Sequence, residues 1–295
     1  MSRWMARTFM NFVPRSQCAW RPRAMHTSAN EEQTVVTEKR GKIFLIGINR
    51  PYARNAVNIE TGVKLLEAFK QFDKDDDALV AVFHGKGGCF CGGFDLKQLA
   101  SGASFKGSEK DIGYAPMGPS KSTFSKPIIG AIDGYAVAGG LELALICDMR
   151  VVEESAIMGV FCRRFGVPLI DGGTVRLQKL IGLSRALDVI LTGRPVKAQE
   201  ALQFGLANRV VPDGTCLDEA IKLANEIAAF PQECMKADRR AAYYAAYDSN
   251  SFEDAMKYEH ENGVPIIMKE SVKGASRFAS GVGRSGSFDA FKSKL

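Results

Sequence analysis

Short apolar segments alternate with helix-like segments along the first two thirds of the chain. Runs rich in β-branched residues, bounded by polar or glycine-rich turns, predict strands, whereas apolar residues that recur every three or four positions predict helices. The predicted strands are 34–38, 43–48, 79–84, 127–132, 149–153, 156–160 and 208–211. This alternation predicts an α/β fold in one domain, 31–295, with its core at about 34–195.

The best-marked helix follows Asn58, a residue type that caps helices. Its apolar residues recur every three positions, which predicts that one stripe of the helix is buried. That stripe consists of Val63, Leu66, Phe69 and Phe72. The acidic run 73–77 ends the helix, and a shorter apolar helix is predicted over 141–147.

The pattern from about Gly173 onward is mainly helical. The predicted helices are 173–182, 184–192, 197–204, 216–229, 232–247 and 251–269, so a helical C-terminal region is expected over about 196–290. The segment 99–126 is polar and rich in glycine, serine and proline, which predicts a long surface loop or a mobile segment.

The charge of the chain is concentrated at its N-terminus. The net charge is +6, but residues 1–30 hold five arginines and no acidic residue, so the remainder carries about +1. A near-neutral body lacks the basic footprint that duplex binding needs, which makes nucleic acid an unlikely partner. The longest apolar runs, such as 143–147, are far too short to cross a bilayer, and no membrane partner is expected.

The seven cysteines show no disulfide framework, and no secretory signal is present, which indicates reduced thiols in an intracellular compartment. Cys89 and Cys91 form the only close pair, with no matching Cys or His pair elsewhere. A zinc site normally needs four such ligands, so no metal site is expected.

Both ends of the chain resemble targeting signals. Residues 1–30 have the arginine-rich, acid-free composition of a mitochondrial presequence, a transit peptide. The chain ends in Ser293, Lys294 and Leu295, the peroxisomal import tripeptide. Initiation at Met25 would omit the presequence, so the predicted location is the peroxisome, the mitochondrial matrix, or both.

Two predicted strands end in glycine-rich segments, 90–97 and 133–144. Glycine lets a backbone approach a ligand closely, and the second segment opens directly into a helix. The first N–H groups of a helix are unpaired and lie at the positive end of its dipole. The two segments therefore predict a site where backbone N–H groups stabilise an oxyanion.

In this order and spacing the motifs resemble the enoyl-CoA hydratase/isomerase (crotonase) superfamily over roughly residues 34–290. The matching segments are 49–58, 134–144, 165–173, 191–193 and 198–211. The resemblance implies a spiral of ββα units, a homotrimer or hexamer, and an acyl-CoA thioester as substrate. It implies no cofactor beyond that substrate.

The resemblance also implies roles for individual residues. Phe94 and Gly139 would donate their backbone N–H groups to the thioester oxygen. The residues expected to contact the substrate or its CoA moiety are Arg54, Ala56, Gly92, Gly93, Lys97, Gly140 and Cys162.

Glu142 matches a catalytic glutamate of the hydratases, although a carboxylate in the first turn could also serve the helix dipole alone. Cys162 stands where hydratases carry a second glutamate, and a thiol cannot simply replace that acid. Asp171 is the natural substitute as a catalytic acid, or else an N-cap for the helix near Gly173. Arg163 and Arg164 either steer an anionic acyl group or pair at a subunit interface.

Three functions remain open at this point. The first is hydration of 2-enoyl-CoA in fatty acid or amino acid catabolism, as in beta-oxidation, which would make the protein a lyase. The second is isomerisation of an enoyl-CoA double bond, which needs one proton-shuttling carboxylate and so tolerates Cys162 better. The third is a non-catalytic relative that binds a CoA ester or RNA.

Overall fold

The computed structural model describes residues 33–102 and 115–283, and the predicted presequence and C-terminal tripeptide lie outside these ranges. Nine strands are described: β1 Val35–Arg40, β2 Ile43–Ile48, β3 Val80–Gly85, β4 Ile128–Ile132, β5 Tyr135–Val137, β6 Met149–Glu153, β7 Ile157–Gly159, β8 Val196–Lys197 and β9 Arg209–Val211. The described α-helices are α1 Ile59–Lys74, α2 Leu96–Ala100, α3 Gly139–Ala144, α4 Gly173–Ile181, α5 Leu183–Thr192, α6 Ala198–Phe204, α7 Cys216–Ala228, α8 Gln232–Tyr247, α9 Phe252–Ile266 and α10 Val272–Ala279.

The strands form two sheets. Six of them lie in the order β1-β2-β3-β4-β6-β9, and only β1 is antiparallel to its neighbour. The other sheet has the order β5-β7-β8. Strands β2 and β4 are buried along their whole length, as expected of parallel strands covered on both faces.

Successive strands leave one sheet and enter the other before a helix follows. Strand β4 lies in the six-stranded sheet, β5 lies in the three-stranded sheet, and α3 comes next. Strands β6 and β7 repeat this path and lead to α4. The predicted α/β spiral of ββα units with a helical C-terminal region is confirmed. The β-structure extends past residue 195, however, because β9 pairs with β6.

Helix α1 begins where the sequence predicted, because the Asn58 side chain accepts the Thr61 N–H at 2.9 Å. Leu66, Phe69 and Phe72 are buried as expected, but Val63 is 39% exposed and that part of the prediction was wrong. A strict three-residue spacing drifts around a helix of 3.6 residues per turn, so its first member leaves the buried face. The buried position is taken by Leu65 instead.

Of the segment 99–126, residues 103–114 lie outside the described residues, and the described part is not a surface loop throughout, which corrects the prediction there. Residues 115–120 are buried, and α2 occupies its first residues. The interpretation went wrong because small and polar residues dominate the segment, and their packing partners lie far away in the sequence.

The C-terminal helices continue further than the predicted end at residue 269. A π-helical turn, Ile267–Ser271, joins α9 to α10, and Pro265 lies just before it. Asp148 ties α8 to the body of the protein by accepting bonds from Arg239 and Tyr243 at 2.9 and 2.8 Å. Among the described residues, no helix is long and apolar enough to span a bilayer.

Candidate active site

The two glycine-rich segments lie side by side. The Cys91 N–H donates to the Tyr135 carbonyl at 2.8 Å, and the Val137 N–H donates to the Cys91 carbonyl at 3.1 Å. A Cβ on Gly140 would collide with that same Cys91 carbonyl oxygen. Glycine at position 140 is therefore required for the close approach of the segments.

Gly93 also lies close to the start of α3. A Cβ on Gly93 would lie 3.2 Å from the Gly139 nitrogen, and its φ of +100° also favours glycine. The neighbouring Ala138 has a φ of 54° and a ψ of −126°, a strained backbone for a non-glycine residue. Its N–H is held by the Gly159 carbonyl at 2.8 Å. Such strain next to a glycine pair marks this turn as a functional candidate.

Phe94 directly follows Gly93, which lies against Gly139, the first residue of α3. The parallel bridge between Val57 and Phe94 uses the Gly93 carbonyl and the Asp95 N–H, so the Phe94 N–H points away from Val57. Gly139 is the first residue of α3, and its N–H has no acceptor within the helix. The two predicted donors therefore lie on adjoining segments, and their role as donors stays a prediction.

Glu142 lies in the first turn of α3 and is 3% exposed. Its Oε1 accepts the backbone N–H groups of Asp171 at 2.9 Å and Gly173 at 2.8 Å. Burial raises the pKa of Glu142 to about 7, and the nearby Asp171 carboxylate adds to the increase. Near neutral pH this carboxyl can both accept and release a proton.

Asp171 lies beside Glu142 but does not cap α4, so that alternative was wrong. The N-cap of α4 is Gly172, without a side-chain bond. The Asp171 Oδ1 instead accepts the Met117 N–H at 3.0 Å and a short hydrogen bond from the Ser120 hydroxyl. Burial raises the pKa of Asp171. At the start of α4, the side-chain oxygen that accepts a backbone N–H is Oε1 of Glu142, which accepts that of Gly173.

Cys162 lies in a 3-10 turn, Phe161–Phe165, and is buried. Burial raises the pKa of its thiol, and the charge of Glu142 raises it further. The next two residues contact the end of α5 in the same chain. Arg163 donates to the Ile190 carbonyl at 3.2 Å, and Arg164 donates to the Gly193 carbonyl at 3.1 Å.

Arg54 and Ala56 lie in a turn that bonds to the first glycine-rich segment, and Lys97 is the last residue of that segment. The Arg54 carbonyl accepts the Gly92 N–H at 2.9 Å, which joins the 50–57 turn to the first segment. Lys97 is exposed in α2, two residues after the N-cap Asp95. The Ala56 carbonyl accepts a short hydrogen bond from Arg50.

The sequence did not single out Arg50 and Asp95, which form an ion pair at 3.0 Å. Arg50 is 7% exposed and also bonds the Ala56 carbonyl, so the pair fixes the turn against the residue after Phe94. Arg50 lies inside the motif 49–58 and Asp95 inside the motif 90–97, and their opposite charges were the available signal. Within 33–102 and 115–283, no group of three or more His, Cys, Asp or Glu residues could hold a metal ion.

The ββα spiral and the paired glycine segments at a helix start define an α/β enzyme. The family model described as enoyl-CoA hydratase/isomerase matches residues 38–281. The chain belongs to the enoyl-CoA hydratase/isomerase family.

Individual relatives agree with this assignment. Enoyl-CoA hydratase EchA19 of Mycobacterium tuberculosis is 34% identical over 252 residues, which cover 82% of this chain and 91% of the relative. The "probable enoyl-CoA hydratase 1, peroxisomal" of Arabidopsis thaliana is 38% identical over 204 residues, which cover 69% of this chain and 74% of the relative. A crystal structure of an enoyl-CoA hydratase from Mycobacterium tuberculosis H37Rv has a TM-score of 0.76 at 34% identity, covering 84% of this chain and 96% of that one.

Proposed function

We propose that this enzyme adds water to 2-enoyl-CoA thioesters, a step of fatty acid or amino acid breakdown. The observation that carries the proposal is the placement of a buried carboxyl, Glu142, one turn beyond the N–H of Gly139. Relatives named as enoyl-CoA hydratases support the reaction class.

In the proposed reaction the thioester oxygen accepts the N–H groups of Phe94 and Gly139. Glu142 takes a proton from water as the water oxygen bonds to the β carbon, and the electrons of the double bond move onto the thioester oxygen. The resulting enolate collapses, and the protonated Glu142 returns the proton to the α carbon. A pKa of about 7 lets one carboxyl serve as base and then acid.

The remaining residues bind the substrate in this proposal. Gly92, Gly93 and Gly140 let the backbone approach the thioester, while Arg54 and Lys97 offer positive charge to CoA phosphates and Ala56 offers its backbone to the adenine. Cys162 lines the acyl side beside Glu142. Every step uses side chains and backbone N–H groups of the protein, so the proposed reaction requires no cofactor besides the CoA ester.

Double-bond isomerisation is the second candidate, and the thiol at Cys162 is the observation that favours it. Burial and the charge of Glu142 raise the pKa of Cys162, so the thiol stays protonated near neutral pH. A neutral thiol cannot take the place of the second carboxylate that hydratases carry. In isomerisation Glu142 alone would remove a proton from the α carbon of a 3-enoyl-CoA and return it at the γ carbon, while the same N–H groups hold the enolate.

Turnover of two substrates separates the candidates. The purified chain is incubated with crotonyl-CoA and with a 3-enoyl-CoA, and products are separated by chromatography. We expect hydration of crotonyl-CoA, and a fall of about 10²- to 10⁴-fold in the Glu142→Gln variant. Turnover of the 3-enoyl ester alone would establish the isomerase instead. Retained binding of both esters without turnover would establish the non-catalytic relative.

We further propose a homotrimer, singly or paired into a hexamer. Large apolar side chains are exposed on α9 and in the π-helical turn, among them Phe252 at 81% and Met268 at 80%. Contacts between subunits would bury them. Light scattering of the purified chain tests this, and a monomer at micromolar concentration would contradict it.

We also propose that Ser293, Lys294 and Leu295 direct the protein to peroxisomes and that residues 1–30 direct a longer product to mitochondria. The name of the peroxisomal Arabidopsis relative is consistent with the first part. Fluorescent tags placed separately at each end block one signal at a time. Diffuse cytosolic signal from both tagged proteins would contradict the proposal.

A further inference from the structure

The buried segment Ala115, Pro116, Met117, Gly118, Pro119 and Ser120 packs between α1 and α3. Gly118, with a φ of +83°, lies so close to Gly62 of α1 that a Cβ on Gly118 would collide with the Gly62 carbonyl oxygen. The Gly118 N–H donates to the Ala115 carbonyl at 2.7 Å, which closes a tight turn. The segment is therefore fixed at its centre by backbone contact with a helix.

Asp171 connects this segment to the catalytic candidate. Its Oδ1 receives the Met117 N–H at 3.0 Å and a hydrogen bond from the Ser120 hydroxyl. Its own backbone N–H donates to Glu142 at 2.9 Å. Asp171 is only 3% exposed, and a buried carboxylate is costly unless it is hydrogen-bonded. The Asp171 oxygen that accepts these hydrogen bonds faces the segment.

The side chain held in this way is that of Met117, and it lies against Gly139. A Cβ on Gly139 would be 2.7 Å from the Met117 sulfur. In a helix both the Cα–Cβ direction and the first N–H groups point toward the N-terminal end. The Met117 thioether therefore fills the space beside the N–H that would bind the thioester oxygen.

We propose that Met117 is a specificity-determining residue that excludes substituents on the α carbon of the acyl group, and that Asp171 with Ser120 is its positioning pair. The inference rests on the proposed function, because that function places the thioester oxygen at the N–H of Gly139. The α carbon is then one bond from the thioester carbon, and a methyl group on it competes for the space that the thioether fills.

The first test compares crotonyl-CoA with its 2-methyl homologue in full-length Met117→Ala, Met117→Leu and wild-type protein. We expect Met117→Ala to raise the kcat/KM ratio of branched to straight substrate about 10-fold or more, the range in which a pocket discriminates one methyl group. Met117→Leu keeps the volume and should keep the ratio. Met117→Val serves as a smaller truncation if the alanine variant does not fold. An unchanged ratio in the truncated variant overturns the proposal.

The second test separates positioning from proton transfer. The amide oxygen in Asp171→Asn can still accept both bonds from the segment, whereas Asp171→Ala cannot. We expect Asp171→Asn to keep the discrimination, while Asp171→Ala and Ser120→Ala shift the ratio toward that of Met117→Ala. If Asp171→Asn loses as much activity as Glu142→Gln, Asp171 is a catalytic acid and its assignment as a positioning residue fails.

Binding of saturated esters tests the inference independently of turnover. Calorimetry gives the Kd of butyryl-CoA and of 2-methylbutyryl-CoA for wild-type and Met117→Ala protein. A selective gain for the branched ester supports the role of Met117 even if crotonyl-CoA is not hydrated, which would count against the proposed function alone. An equal change for both esters overturns the role of Met117.

Discussion

The Glu142 carboxylate in the first turn of α3 accepts the backbone N–H of Gly173, the first residue of α4, at 2.8 Å. The N–H groups at a helix start need acceptors from outside the helix, and Glu142 supplies one to α4. The carboxyl proposed to move protons is thus also a fixed part of the fold. Because one oxygen is engaged by backbone N–H groups, the orientation of the carboxyl is set before substrate binds.

Raising the pH should weaken the wild-type protein relative to Glu142→Gln. The pKa of Glu142 is raised from 4.5 to about 7, so the folded state disfavours its charged form. The stabilising effect of the protonated form is complete below about pH 4.5 and is lost as the pH rises through about 7. The difference in unfolding free energy between the two proteins should change by up to ~3 kcal/mol across that window.

Urea titrations of both proteins at several pH values measure this difference. Titrating groups that do not interact with Glu142, such as Asp133, are common to both proteins and cancel from the comparison. A difference that stays constant from pH 4 to pH 8 would show that the pKa of Glu142 is not raised.

Gly140→Ala should separate the two glycine-rich segments. The new methyl group would collide with the Cys91 carbonyl oxygen, so we expect a loss of about 1–3 kcal/mol in unfolding free energy together with a loss of turnover. The matched control is Gly274→Ala in α10, where a Cβ meets no atom within 4 Å. Alanine has the higher helix propensity, so the control should be neutral or gain up to ~1 kcal/mol. Equal behaviour of the two variants would contradict the close pairing.

Removing Arg50 should destabilise the protein far more than removing an exposed arginine. Arg50→Gln leaves Asp95 as a largely buried carboxylate without its ion pair, which typically costs about 3–5 kcal/mol. The control is Arg40→Gln, because the pair of Arg40 with Glu38 is exposed and such pairs contribute about 1 kcal/mol or less. Thermal unfolding of both variants measures the difference. A smaller loss in Arg50→Gln than in Arg40→Gln would show that the buried pair does not hold this turn.

Local signals in the sequence explain why much of the fold could be predicted. Asn58 marked the start of α1, and the β-branched run 43–48 matched β2 at both ends. Strand β5 was missed because its three residues, Tyr135–Val137, lie inside the glycine-rich segment. Its pairing with β7 is a long-range contact that local periodicity does not reveal.

The candidate site also contains some features that local motifs predict and others that only long-range contacts create. Phe94, Gly139 and Glu142 lie in two motifs whose spacing identifies the family, and the fold brings these motifs together. The bonds from Met117 and Ser120 to Asp171 join residues 54 and 51 positions apart, so no local pattern indicates them. The polar composition of 99–126 predicted exposure, whereas the Met117 N–H and the Ser120 hydroxyl are buried and donate to the Asp171 carboxylate.

The thioester carbonyl stretch of a bound, ¹³C-labelled acyl-CoA tests the central claim most directly. In the proposed site the N–H groups of Phe94 and Gly139 polarise the carbonyl, so difference infrared spectra should show a shift to lower frequency on binding. The shift should persist in Glu142→Gln, because that side chain acts on the neighbouring carbons and not on the thioester oxygen. A bound carbonyl that absorbs at its solution frequency, or a shift that disappears with Glu142, would contradict the assignment of the two backbone donors.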